Sequence, residues 1–170
     1  MNTEFSRPVN ATRPPPETKV TATPEECAAL ALRYGIPGVA ALSCHYTLRA
    51  EGRGVVRGDL ALVATVTQTC VVTLEDFTET LEESATLLFM PAEDAPGDDA
   101  PIDLDAPDEV PYEGSTIDLG EAAAEQLALA LDPYPRSPEV RVQAAQDVDE
   151  GGEDPTAPFA SLAALRGKPN

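Results

Sequence analysis

Polar and apolar positions alternate with a period of two along much of the first half of the chain, and helical spacing appears on either side of that stretch. Over residues 55–67, Val56, Leu60, Leu62, Ala64 and Val66 share one face, while Arg57, Asp59, Thr65 and Thr67 share the other. This is the pattern of a half-buried strand. Cys44, Tyr46 and Leu48 alternate with His45, Thr47 and Arg49 just upstream, and Glu51-Gly-Arg-Gly54 between the two runs reads as a hairpin turn. Gly58, inside the second run, suggests a bulge or bend. Residues 77–89 alternate at Leu81, Ala85, Leu87 and Phe89 and score as a third strand, with helix as the competing assignment. Shorter extended segments are expected at residues 5–9 and 19–22. The polyproline-like Thr12-Arg-Pro-Pro-Pro-Glu17 between them cannot join a central strand.

Two helices are punctuated at both ends. Thr23 caps the first, Pro24 takes its first position and Glu26 completes a capping box, with Cys27, Leu30, Ala31 and Tyr34 as the buried stripe and Gly35 and Pro37 as the stop. Asp118 caps the second, and Glu121 is placed to return the bond to the cap's own N–H. Leu119, Ala122, Ala123, Gln126, Leu127, Ala130 and Leu131 then recur at helical spacing until Pro133 and Pro135 forbid continuation. A short terminal helix over 158–166 would dock Phe159, Leu162 and Leu165 on the body. These elements describe an α+β fold: an antiparallel sheet, curled toward a barrel, with two or three covering helices.

Composition limits this fold. The 170 residues are 42% hydrophobic, a prior for one domain over residues 1–170, yet 26 positions are Ala, there is no Trp, and the aromatics are four Phe and four Tyr. At roughly 25 cal/mol per Å² of apolar surface, an Ala-rich core stabilises only moderately. The net charge of −19 is divided unevenly: residues 1–72 hold seven Lys/Arg against six Asp/Glu, a charge of +1, and residues 73–170 hold four against 24, a charge of −20. The acidic half repels phosphate backbones and attracts basic partners over about a Debye length, ~10 Å at 0.1 M salt. Neither DNA nor a membrane is an expected partner, and no apolar run approaches the roughly 20 residues of a membrane span. The expected location is cytoplasmic.

Residues 91–114 carry nine acidic residues, no basic one and five prolines. They read as a flexible acidic loop offering Asp98, Asp99, Asp103, Asp105 and Asp108 to a basic partner. Residues 147–157 read as a second acidic linker. Asp132-Pro-Tyr-Pro-Arg136 is the most site-like turn: Tyr134 offers an amphipathic surface, and Arg136 is a cation able to hold carboxylate or phosphate in two bonds. Arg7, Arg13, Arg49, Arg53 and Arg57 would form a basic patch if the N-terminal strands lie together, the alternative surface for RNA. His45, the only histidine, falls on a polar strand face with no nucleophile assigned beside it. No enzymatic activity and no cofactor are expected.

Four segments in order carry a resemblance to a known family. Phe5-Ser-Arg-Pro8, Gln68-Thr-Cys-Val-Val-Thr-Leu-Glu-Asp-Phe77, the Ile117-Asp118-Leu119 helix with its Pro133 and Pro135 turn, and Pro158-Phe159-Ala resemble the motifs of the YceD family of bacterial large ribosomal RNA accumulation proteins. The resemblance implies a role in synthesis, processing or stability of 23S ribosomal RNA, and hence in large-subunit assembly. A basic ribosomal or assembly protein, or the ribosomal RNA itself, would be the partner. It also bears on Cys70. Family members of one type carry Cys-x-x-Cys at this point and further cysteines beyond the helix, as a tetrahedral zinc site needs. Here Thr73 stands at the second position and neither Cys nor His follows Cys70, which places the chain in the branch without the zinc-type cysteines. Untagged protein dialysed against a chelator is therefore expected to carry no zinc, and a stoichiometric content in metal analysis would overturn this.

Overall fold

A computed structural model describes residues 4–95 and 107–140. The chain divides into two compact units, Met1–Pro135 and Arg136–Asn170, and the fold described below is that of the first. The linker expected over 147–157, the helix over 158–166 with Pro158 and Phe159, and loop residues Asp98, Asp99, Asp103 and Asp105 lie outside the described residues.

The long alternating runs form the hairpin that organises the unit. β3 (Gly38–Gly52) and β4 (Val55–Thr69) pair antiparallel around the turn at Arg53, and β5 (Asp76–Pro91) returns antiparallel along β4 over almost its whole length. β2 (Glu17–Thr21) adds to the β3 edge. On the face shared by Cys44, Tyr46, Leu48, Val56, Leu60, Leu62, Ala64, Val66, Leu87 and Phe89 the side chains are almost fully covered. The competition between strand and helix over 77–89 resolves as strand, because β4 offers it fourteen residues of register.

Three features differ from the sequence expectation. Gly58 causes no bulge: Leu48, Gly58 and Leu87 stay in register. A Cβ there would come within 3.1 Å of Leu48 and Phe89, so the glycine makes room for two large core side chains. Second, the acidic segment 91–114 is not loop throughout. β6 (Asp108–Tyr112) lies along the end of β5, and it does so in parallel. Its composition predicts a loop, but edge pairing supplies the backbone hydrogen bonds, and an edge is where a strand tolerates Pro111. Third, the strand order is β2-β3-β4-β5-β6, an open and mixed sheet whose described strands do not close into a barrel.

Helix α1 (Pro24–Tyr34) has the expected ends. The Thr23 hydroxyl accepts from Glu26 N, the Glu26 carboxylate accepts from Thr23 N, and Gly35 closes the helix in the left-handed conformation. Helix α2 (Leu119–Ala130) is also capped by Asp118, but Glu121 does not return the bond. Its carboxylate is held by both terminal nitrogens of Arg33, at 3.0 and 2.7 Å. The cap instead recruits the N-terminal segment. Asp118 Oδ1 accepts from Gly120 N, Glu121 N and Arg7 N, and Oδ2 accepts from the Ser6 hydroxyl. β1 (Pro8–Asn10) and β7 (Thr116–Asp118) pair antiparallel beside this cap, and Phe5 is fully buried. The Tyr46 hydroxyl, rising from β3, donates to Leu119 O at 2.9 Å and fixes α2 over the sheet.

Gly120 is the tightest point of this arrangement. A Cβ there would lie 2.6 Å from Phe5 O and 2.9 Å from Arg7 N, both backbone atoms. Gly120→Ala is expected to cost about 1–3 kcal/mol, as overpacking does, and to lower the thermal midpoint by several degrees. An unchanged midpoint would show that the N-terminal segment is not clamped on α2. Burial sets an alkaline limit as well. It pushes the Cys44 thiol up from 9.0 to about 11 and the Tyr34 hydroxyl from 10.0 to about 12. A raised folded-state value contributes fully below the unfolded-state value and is lost as pH rises toward the folded one. Thermal stability should therefore fall between about pH 9 and 12, and Cys44→Ala should flatten the lower part of that decline.

Candidate functional site

The β4–β5 turn and the turn after α2 meet at one end of the sheet. β4 ends in Gln68 and Thr69, and from Cys70 the chain reverses through Val71, Val72, Thr73, Leu74 and Glu75. Cys70 N donates to Glu75 O and Leu74 N to Cys70 O, which closes the turn. Leu74 has a φ of +60°, a left-handed conformation costly for a side chain of this kind, and it is 77% exposed. After α2, Asp132 accepts from Tyr134 N through its side chain, an Asx turn that Pro133 and Pro135 make rigid. Two bonds tie these turns together: Val71 N donates to Pro135 O at 2.9 Å, and Gln68 Nε2 donates to Asp132 O at 3.1 Å.

Between them lies a cleft of about 450 Å³, walled by Tyr34 at the end of α1 with Ile36 and Pro37 just after it, Gln68 and Thr69 from β4, Ala128 from α2, and Leu131, Asp132, Pro133 and Pro135 after it. Its wall is largely apolar, and Asp132 is its one charged lining residue. A second carboxylate is close, because the Thr69 hydroxyl donates to Asp76 Oδ1 at 2.7 Å. Gln68 is 4% exposed, and its Oε1 is buried without a hydrogen-bond donor. Such atoms are uncommon in folded proteins and cost about 1–3 kcal/mol unless something supplies the donor. Beside the cleft, Val71, Val72, Leu74 and Tyr134 leave apolar surface in water, and Tyr134 is 73% exposed. The arrangement suits binding. Among the described residues no three His, Cys, Asp or Glu are grouped to hold a metal ion, and no helix is long and apolar enough to cross a membrane.

The expected site residues are dispersed. Tyr134, Pro133 and Pro135 belong to this end, and Cys70 is fully buried beneath the turn. Ile117 and Leu119 are core residues flanking the Asp118 cap. Asp108 opens β6, exposed, opposite Leu87. Arg136 is exposed and meets no carboxylate among the described residues. Arg7 is consumed structurally, with two bonds of 2.8 Å to Glu26 and its guanidinium 4.8 Å from the Phe5 ring centre. That bond holds the Glu26 carboxyl below the usual range. Arg49 and Arg57 are directly opposite in register, on the sheet face away from the core. Lys19 and His45 are paired on the same face, and Arg53 is at the hairpin turn. Gln68 and the Val71, Val72, Leu74 cluster were not singled out as site residues by their sequence. The signal was there: Gln68 follows Val66 on the core-facing period, where a polar residue needs a reason, and three apolar residues occupy a turn.

A family model described as large ribosomal RNA subunit accumulation protein YceD matches residues 58–166, a span that runs from β4 through both turns and leaves Phe5-Ser-Arg-Pro8 outside it. No curated protein and no solved structure matches the chain.

Proposed function

We propose, from the premise that the chain belongs to the YceD family of large ribosomal RNA subunit accumulation proteins, that it is a non-catalytic cytoplasmic factor that supports 23S ribosomal RNA accumulation by holding a basic protein of large-subunit assembly. Residues 1–170 act as one functional domain in this reading. The observation that carries it is the charge of −20 on residues 73–170. A surface of that sign favours the lysine- and arginine-rich segments with which such proteins contact RNA, and disfavours RNA itself. Holding such a segment until its RNA site forms would protect both from wrong association.

A second reading has its own support. Arg49 and Arg57, side by side on the sheet face away from the core with Arg53 nearby, form a like-charge pair that a phosphate would relieve. Here the N-terminal arginines contact ribosomal RNA and the acidic half limits non-specific adhesion.

Purified large-subunit proteins offered to the immobilised chain separate the two. Changing Asp98, Asp99, Asp103, Asp105 and Asp108 to Asn should weaken capture several-fold at low salt and leave the thermal midpoint unchanged. Capture should also fall as salt rises. If the neutralised chain captures equally well, and Arg53→Ala with Arg57→Ala abolishes a nuclease-sensitive association, direct RNA contact is the mechanism.

A further inference from the structure

We infer that the cleft between the two turns is a binding groove for an extended segment of a basic protein, in which an apolar side chain enters the cleft and neighbouring lysine or arginine residues meet Asp132 and Asp76. This rests on the protein-partner reading above and moves the contact from the acidic segments to a defined place on the folded body. Three independent observations converge on it. The cleft is of the size that holds one or two side chains, and Ile36, Pro37, Ala128, Leu131, Pro133 and Pro135 make most of its wall apolar. The one charged lining residue is a carboxylate, Asp132, and a second carboxylate, Asp76, is held by the lining Thr69, a pair that favours a cationic neighbour.

The third observation is Gln68. Its carboxamide lines the cleft and already donates to Asp132 O, which fixes which end is oxygen, and that oxygen is left without a donor. A main-chain N–H of an extended segment supplies one after a small shift of the side chain. The strained, exposed Leu74 fits the same account. Its left-handed backbone holds an apolar side chain in water beside Val71 and Val72, a conformation a glycine would adopt without cost. Leucine there is explained by what it contacts in a complex.

The test uses fluorescein-labelled decapeptides titrated into the full chain and followed by anisotropy: one alternating Lys and Leu, one with Glu for Lys, one with Ser for Leu. The Lys/Leu peptide should bind, and the other two should bind about tenfold more weakly. Ala128→Trp, which fills the cleft from an exposed helix position, and Asp132→Asn, which keeps the acceptor for Tyr134 N, should each weaken binding about fivefold with the thermal midpoint retained. Leu74→Gly should weaken binding without lowering the midpoint. Methylating the peptide amides one at a time should reveal a position where the wild type loses affinity and Gln68→Met does not. Equal binding of the Lys/Ser peptide, or binding indifferent to Ala128→Trp, would overturn the inference. So would a single-stranded RNA oligonucleotide that displaces the peptide and is itself lost in Ala128→Trp. If the peptide fails while capture of large-subunit proteins persists, the groove is wrong and the functional reading stands. If capture fails while the peptide binds, the reverse holds.

Discussion

The Asp118 carboxylate is the junction on which the rest of the first unit depends. Its two oxygens accept four hydrogen bonds, two from the first turn of α2 and two from Ser6 and Arg7. A carboxylate is the right group for this position. It satisfies donors that a helix leaves orphaned, and its charge is stabilised by the positive end of the helix dipole. Because the same group also holds the N-terminal segment, Phe5 is drawn into the core and Arg7 is aimed at Glu26 in the first turn of α1. Arg33, from the last turn of α1, then reaches Glu121 in α2. One arginine bridge thus ties the N-terminal segment to the start of α1, and a second joins the end of α1 to α2.

This junction assigns a role to the Ile117-Asp118-Leu119 motif and to the Phe5-Ser-Arg segment that meets it. Ile117 and Leu119 are buried on either side of Asp118, and Gly120 permits the backbone of residues 5–7 to pass. Their identities are dictated by packing. The other end of α2 is different, because Pro133 and Pro135 shape a cleft and leave Tyr134 in water. Twelve helical residues separate these ends, about 18 Å at 1.5 Å per residue. One end of the helix is locked to the body, and the other presents a surface.

What could be read in advance was what is encoded locally. The α1 capping box lies within four consecutive residues, and the alternation of β4 names its buried face without reference to any neighbour. What escaped was what only tertiary pairing decides. Asp108–Tyr112 has the composition of a loop and becomes a strand because β5 offers an edge. Glu121 has the right spacing for a capping box and is taken by Arg33, 88 residues away. Gly58 reads as a kink, because its real cause, the side chains of Leu48 and Phe89, comes from the two flanking strands. The cleft is of the same kind. Its walls come from three separate stretches of chain, and only the Asp132–Arg136 turn, Gln68 and the apolar residues of the 71–74 turn carried a local hint.

The long hairpin also bears on how two kinds of partner could be accommodated. The cleft adjoins the β4–β5 turn, whereas Arg49, Arg53 and Arg57 cluster at the β3–β4 turn, the opposite end of β4. Fifteen residues of strand separate these ends, about 45–50 Å at 3.2–3.4 Å per residue. That exceeds the Debye length several-fold at physiological salt, so the carboxylates at the cleft do not neutralise the arginines at the hairpin. Among the described residues Arg57 is bridged by its neighbour Asp59, at 3.4 Å. In the two readings proposed above, an anionic chain and a basic segment would therefore have separate places on the same sheet. Whether a partner is captured at one end or the other is then a question of local charge and shape, and the net charge of −19 governs only which molecules approach from a distance.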